Sequence, residues 1–113
     1  MKKIEAIVRP SKLNDILEEL NRHHIFGVTA THVMGCGLQG GRTQYYRGSK
    51  YTVNLLPKIK IEIVVKDSWV DEIVDAIIKV SRTGEIGDGK IFVYNIEDSQ
   101  RIRTGEKGEA ALT

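Results

Sequence analysis

Three short stretches carry residue types that could do chemistry. The first is Gly35-Cys36-Gly37-Leu38-Gln39-Gly40, which satisfies the pattern G-x-G-x-x-G. The second is Gly84-Glu85-Ile86-Gly87-Asp88-Gly89-Lys90, a glycine-rich turn ending in a cation. The third is Arg101-Ile102-Arg103. Closely spaced glycines let successive backbone N–H groups turn toward an anion, forming a nest, and a lysine beside a nest suits phosphate. Two arginines two residues apart share a face of an extended chain and could close over a polyphosphate. Lys90, Arg101, Arg103 and the two nests describe a triphosphate cradle, provided that the fold or a neighbouring subunit brings them together. A dinucleotide reading of the first stretch fails on context. No helical stripe follows it, Gly48 interrupts residues 42–50, and no acid stands about 20 residues further on to hold a ribose.

The remaining candidates read as structural. His23, His24 and His32 lack metal-ligand spacing, and the adjacent pair falls at a helix end, where positive charge suits the dipole. Cys36 has no sequence-near partner of the kind a nucleophile needs. As the single cysteine it excludes an internal disulfide and a multi-cysteine zinc site. Asp71, Glu72 and Asp75 read as the solvated face of a helix. Nothing in the chain has the makings of a catalytic machine.

The elements that must position these stretches follow from periodicity. Residues 2–9 alternate as a strand, with Ile4, Ala6 and Val8 on one face. Pro10 and Ser11 open a helix on Leu13, Ile16, Leu17 and Leu20. Residues 28–33 are β-branched and read as a second strand. A third strand covers residues 59–65, followed by an S-x-x-D cap signal at Ser68 and Asp71 and a helix on Val70, Ile73, Val74 and Ile77. Residues 91–96 form a fourth strand. The two halves repeat: KIEAIVRPSKLNDILEEL at residues 3–20 lies over KIEIVVKDSWVDEIVDAI at residues 60–77, so that Ile4 falls on Ile61 and Glu5 on Glu62. Two strand-helix-strand units in series predict an α+β, ferredoxin-like double βαβ sandwich: a four-stranded antiparallel sheet with two helices on one face. The other face would carry Ile7, Val64, Phe92 and Tyr94, too apolar for water, and calls for a closed homo-oligomer.

Between the halves lies GCGLQGGRTQYYRGSKYTVNLLP, residues 35–57. A loop that long between strands 2 and 3, without structure of its own, is usually functional or disordered. The whole chain, 113 residues with 41% apolar and 28% charged, reads as a single domain. Its net charge of +2 is too small to argue for nucleic acid or an anionic membrane. No run is long enough to span a bilayer, and the start MKKIEAIVRP is a strand pattern rather than a signal peptide, so a cytoplasmic location is expected.

These residues resemble the PII signal-transduction proteins of nitrogen metabolism. The resemblance covers essentially the whole chain. It is most specific in YRGSKYTVNLLPKIKIEIVV at residues 46–65, TGEIGDGKIFVY at 83–94 and RIRTGE at 101–106. It implies a homotrimer with nucleotide sites between subunits, competitive binding of ATP and ADP, and 2-oxoglutarate bound together with Mg²⁺ and ATP. Residues 36–56 would be the T-loop that changes shape and touches partners, residues 82–90 the phosphate-binding turn, and residues 97–113 a C-terminal loop. The nucleotide residues it implies are Ile7, Thr29, Gly35, Gly37, Gln39, Glu62, Val64, Thr83, Gly87, Asp88, Gly89 and Lys90, with Arg101 and Arg103 from the neighbouring subunit. For 2-oxoglutarate it implies Gln39, Gly40, Gly41, Lys58 and Gly87, with Gln39 also ligating Mg²⁺. Arg47 matches a loop arginine that plugs an ammonium channel, Tyr51 a tyrosine that some members carry nucleotidylated, and Ser49 a serine that others phosphorylate.

The chain departs from the common pattern at Leu38 and Gly40, where many members carry Arg and Lys, and at Lys50, where an acid is common. Leu38 and Gly40 remove cations near the two anions, so weaker anion binding is expected. The expected function is a non-enzymatic sensor of ATP/ADP and 2-oxoglutarate that regulates an ammonium transporter or nitrogen-assimilation enzymes, with membrane contact only through such a transporter. The competing expectations are a weak ATPase on the same fold, since fold does not fix function, and a PII-like regulator of another process with an altered or absent 2-oxoglutarate response.

Overall fold

The alternating apolar residues of the first strand close a sheet against two amphipathic helices. In the computed structural model the chain runs β1 (Lys2–Val8), α1 (Leu13–Arg22), β2 (Thr29–Gly35), β3 (Arg42–Tyr46), β4 (Ser49–Val53), β5 (Leu56–Val65), α2 (Val70–Ser81) and β6 (Gly89–Asn95). The structure describes residues 1–36 and 55–113, together with the backbone of β3 and β4. Short 3-10 turns at Pro10–Lys12 and Asp67–Trp69 lead into the two helices, and a third covers Gly108–Leu112. The main sheet has the order β2-β5-β1-β6, with every neighbouring pair antiparallel. This is the ferredoxin-like α+β arrangement that the two-half repeat predicts.

The register shows the repeat as symmetry. Glu5 of β1 stands directly opposite Glu62 of β5, and these are equivalent positions of the two halves. A pseudo-twofold axis therefore passes between them. Ile4, Ala6 and Val8 of β1 and Ile59, Ile61, Ile63 and Val65 of β5 face the helices and are buried. Ile16 and Leu20 of α1 and Ile73 and Ile77 of α2 close over them in one cluster. Each isoleucine, leucine or valine among them contributes on the order of 1.5–3 kcal/mol by leaving water.

Three local features differ from expectation. Residues 42–53 are not without structure of their own: β3 and β4 pair antiparallel, with Arg42 opposite Val53 and Tyr46 opposite Ser49. The threonines, tyrosines and valine of these segments are strand formers, a signal that a search for helical stripes passes over. β5 starts at Leu56 rather than at residue 59, and β6 covers Gly89–Asn95 rather than residues 91–96. The Ser68 cap does not form. Trp69 occupies the N-cap of α2 without a side-chain bond, because the 3-10 turn precedes the helix. Asp67 instead accepts the Met1 amine at 2.8 Å, which holds its carboxyl below the usual range.

The open face of the sheet is mixed rather than continuously apolar. Phe92 and Tyr94 are exposed, and Ile7 and Val64 are half-buried. Between them, Lys3 reaches Glu62 at 3.4 Å, Lys60 reaches Glu62 at 3.5 Å, and the Tyr94 hydroxyl donates to Glu5 at 2.9 Å.

Candidate functional site

The site is built around the turn that joins α2 to β6. Gly84, Gly87 and Gly89 adopt φ of 90°, 102° and 105°, a left-handed region that side chains disfavour. Asp88 fastens this turn. Its Oδ2 accepts the backbone N–H groups of Thr83 and Gly84, each at 2.9 Å. Its Oδ1 accepts the Thr83 hydroxyl at 2.5 Å and Arg9 Nε at 3.2 Å. The Thr83 hydroxyl and N–H, then Gly84 and Arg9, hold the Asp88 carboxyl far below the usual carboxylate range. Arg9 also donates to the Ile86 carbonyl at 2.9 Å. The carboxylate of Asp88 is thus occupied inside the turn, where it shapes the backbone.

The register carries this turn to one end of the sheet. Gly89 lies opposite Val8, and a Cβ on Gly89 would stand 1.8 Å from the Ile7 carbonyl oxygen, so the strand pair closes only on glycine. At the same end Gly35 of β2 faces Leu56 of β5. Lys58 is buried there and donates from Nζ to the Gly87 carbonyl at 2.8 Å. Burial, and then the charge of Arg9, push the Lys58 ammonium pKa down, while Asp88 pulls it up. Ile7 stands between Lys60 and Lys90 on the open face. Ile7, Gly35, Lys58, Thr83, Gly87, Asp88, Gly89 and Lys90 are therefore gathered at one end of the sheet. Thr29 and Glu62 face each other midway along it, and Val64 lies further on, opposite Lys3. Along the face from the turn to Val64 come Ile7 between Lys60 and Lys90, then Glu5 with Glu62 and Phe92, then Lys3 with Val64 and Tyr94. The end beside the turn thus carries two lysines, which suits an anionic group.

Arg101 and Arg103 are not brought to this place within one chain. β6 rises about 3.3 Å per residue, so its two ends lie about 20 Å apart. The chain leaves it at the far end, where Ile96 N–H donates to the Met1 carbonyl at 3.1 Å and Ser99 Oγ lies 3.3 Å from Met1 Sδ. Nor is the segment extended as its spacing implies: residues 102–104 form a turn, closed by Arg101 N–H to the Glu106 carbonyl at 2.8 Å. Arg101 is half-buried and paired with Glu106 at 2.5 Å, whereas Arg103 is exposed and takes part in no side-chain hydrogen bond or ion pair among the described residues. The two arginines therefore differ.

Gly37, Gln39, Gly40, Gly41 and Arg47 lie outside the described residues, as do the side chains of Ser49 and Tyr51. Cys36 is exposed at the end of β2. His23, read as a helix-end residue, stands between Glu19 at 3.4 Å and Glu72 at 3.6 Å, where it joins α1 to α2. Among the described residues no group of three His, Cys, Asp or Glu side chains could hold a metal, and no helix is long and apolar enough to cross a membrane. Sequence reasoning passed over Arg9. Its partner Asp88 is 79 positions away, and only the β1–β6 register sets the two side by side.

The family model described as nitrogen regulatory protein P-II matches residues 1–106. The chain is 54% identical over 112 residues to the nitrogen regulatory protein P-II of Haemophilus influenzae, and equally to that of Pasteurella multocida. It is 54% identical to nitrogen regulatory protein P-II 1 of Escherichia coli. In each case the match covers 99% of this chain and 100% of the relative. With a full-length relationship and the ferredoxin-like sheet both in place, this chain belongs to the nitrogen regulatory protein P-II family.

Proposed function

We propose that this chain is a nitrogen-regulatory signalling protein that binds ATP or ADP at the turn of residues 82–90 and acts on its targets through residues 36–56. The observation that carries this reading is the fastened turn itself. Gly87 and Gly89 are held in left-handed conformations, Asp88 is pinned by Thr83, Gly84 and Arg9, and Lys58 is anchored on the Gly87 carbonyl. A nucleotide fits the residues present. The turn and Lys90 offer N–H donors and a cation to phosphates, and Ile7 and Val64 offer apolar surface to a base. The nearby acids Glu62 and Asp88 are each already paired with a cation.

The assembly proposed is a homotrimer, in which Arg101 and Arg103 of one subunit serve the turn of its neighbour. The supporting facts are the separation of the two segments along β6 and the exposed Phe92 and Tyr94. In this reading Gln39 would ligate the Mg²⁺ that accompanies ATP, and Lys58 with the backbone of Gly40, Gly41 and Gly87 would receive 2-oxoglutarate. The 2-oxoglutarate response is the weaker part, because Leu38 and Gly40 stand where many PII proteins carry cations. Ligand at the loop base would favour one arrangement of residues 36–56 over others, and only some arrangements would dock on an ammonium transporter or a nitrogen-assimilation enzyme. Arg47, Ser49 and Tyr51 are the candidate contact and modification positions.

Titration calorimetry with ATP and ADP tests the reading. Saturable binding with competition between the two nucleotides is expected, and no detectable heat at millimolar nucleotide would sink it. A turnover assay completes the test: hydrolysis at about 1 per second or faster would identify an ordinary enzyme instead.

A further inference from the structure

Arg101 is engaged by groups of its own chain. Its Nη1 donates to Glu106 Oε1 at 2.5 Å, and its Nη2 donates to the Ala110 carbonyl at 3.1 Å and to the Thr113 carbonyl. The Thr104 hydroxyl donates to the same Glu106 oxygen at 2.9 Å, which holds the carboxylate in place. The backbone closes around this pair through Gly105 N–H to the Arg101 carbonyl at 2.7 Å and Gly108 N–H to the Ser99 carbonyl at 2.8 Å. A carboxylate on a guanidinium makes the same charge-assisted hydrogen bonds that a phosphate oxygen would make. Arg103, two residues on, has no such partner among the described residues.

We infer that Glu106 is an internal substitute for phosphate, holding Arg101 while no nucleotide is bound and giving it up when a polyphosphate arrives. The inference rests on the reading of Arg101 as a phosphate-binding residue. The pair is partly exposed, with 22% of the Arg101 side chain and 47% of the Glu106 side chain accessible. Such a pair is weak and screened by salt. It is strong enough to keep Arg101 folded against its own turn and weak enough to yield to a ligand of several charges. Glu106 is therefore a residue that sets nucleotide affinity without belonging to the phosphate-binding turn, and it makes Arg103 the first contact and Arg101 the second.

The test uses the full chain, with ATP, ADP and inorganic tripolyphosphate titrated into wild type, Glu106→Gln, Thr104→Val, Arg101→Ala and the double variant Glu106→Gln/Arg101→Ala. Glu106→Gln should tighten binding by up to about fivefold, the size of an exposed ion pair. It should also steepen the salt dependence, because one more cation is free to meet the ligand. Thr104→Val should tighten it less, and Glu106→Gln should have no effect where Arg101 is already alanine. Unchanged or weaker binding by Glu106→Gln with an unaltered melting temperature overturns the inference, since the carboxylate would then be idle or would preorganise Arg101. If that variant melts early, Thr104→Val decides by the same criterion. Wild type that binds none of the three ligands at millimolar concentration overturns the nucleotide reading, and this inference with it.

Discussion

Asp88 illustrates how one carboxylate can fasten a whole turn. It accepts four hydrogen bonds that lock Thr83, Gly84 and Arg9 together. Its folded-state pKa is depressed, so its contribution to the turn is present above the unfolded carboxylate value near 3.9 and is lost only as pH falls below it toward the folded value. The amide resonances of Thr83 and Gly84 should therefore keep their positions between pH 8 and pH 5. A titration of either with a midpoint near 6 would show that another group controls the turn. Asp88→Asn keeps the size but removes the charge. It should lower nucleotide affinity about tenfold or more, because the charged acceptor that shapes the turn is lost. Isothermal calorimetry reads this directly, and an unchanged affinity would remove Asp88 from the positioning role.

At the scale of elements, two junctions carry conformational constraint of opposite kinds. α1 ends with His24 at φ 62°, where Ile25 N–H returns to the Leu20 carbonyl at 2.9 Å and His24 N–H to the Asn21 carbonyl at 3.0 Å. Glycine is the usual residue in that position, and a side chain there costs roughly 1–2 kcal/mol. His24→Gly should raise stability by about 0.5–1 kcal/mol after the added freedom of the unfolded chain is set against it, seen as a melting temperature higher by a few degrees. Gly89 is the reverse case. It begins β6 with φ 105° and its missing Cβ leaves room for the Ile7 carbonyl. Gly89→Ala should destabilise by about 2 kcal/mol or more, through strain and a displaced β1–β6 register. Denaturant melts measure it, and a loss under about 0.5 kcal/mol would mean that the junction tolerates a side chain.

At the scale of the whole molecule, the glycine-rich turn and the C-terminal arginines stand apart within one chain. The turn of residues 82–90 and the C-terminal arginines sit at opposite ends of β6, and the face between them bears exposed Phe92 and Tyr94 among the pairs of Lys3, Glu5, Lys60 and Glu62. Burial of that face in a closed assembly would cover the aromatics, and its charge pairs would favour one register over others. Sedimentation equilibrium should give the mass of three chains, and Phe92→Glu should shift it toward one chain. Monomeric wild type at micromolar concentration would contradict the assembly and leave the arginines without a partner turn.

Much of this architecture is determined by the sequence alone. The period-2 runs at Ile4, Ala6, Val8 and Ile59, Ile61, Ile63, and the helical stripes at Ile16, Leu20, Ile73 and Ile77, report which faces must leave water, and burial depends on those patterns more than on any one neighbour. The repeat likewise implies the pseudo-symmetric sheet. The glycine-rich turn at residues 84–89 was legible as a turn because backbone conformation at glycine is a local property. What only tertiary structure decided are relations between distant segments: Arg9 on Asp88, Lys58 on the Gly87 carbonyl, Glu5 facing Glu62, and Arg101 folded onto Glu106. Strand register and turn closure set these pairs, and both arise from the summed packing of many residues rather than from the spacing of any two.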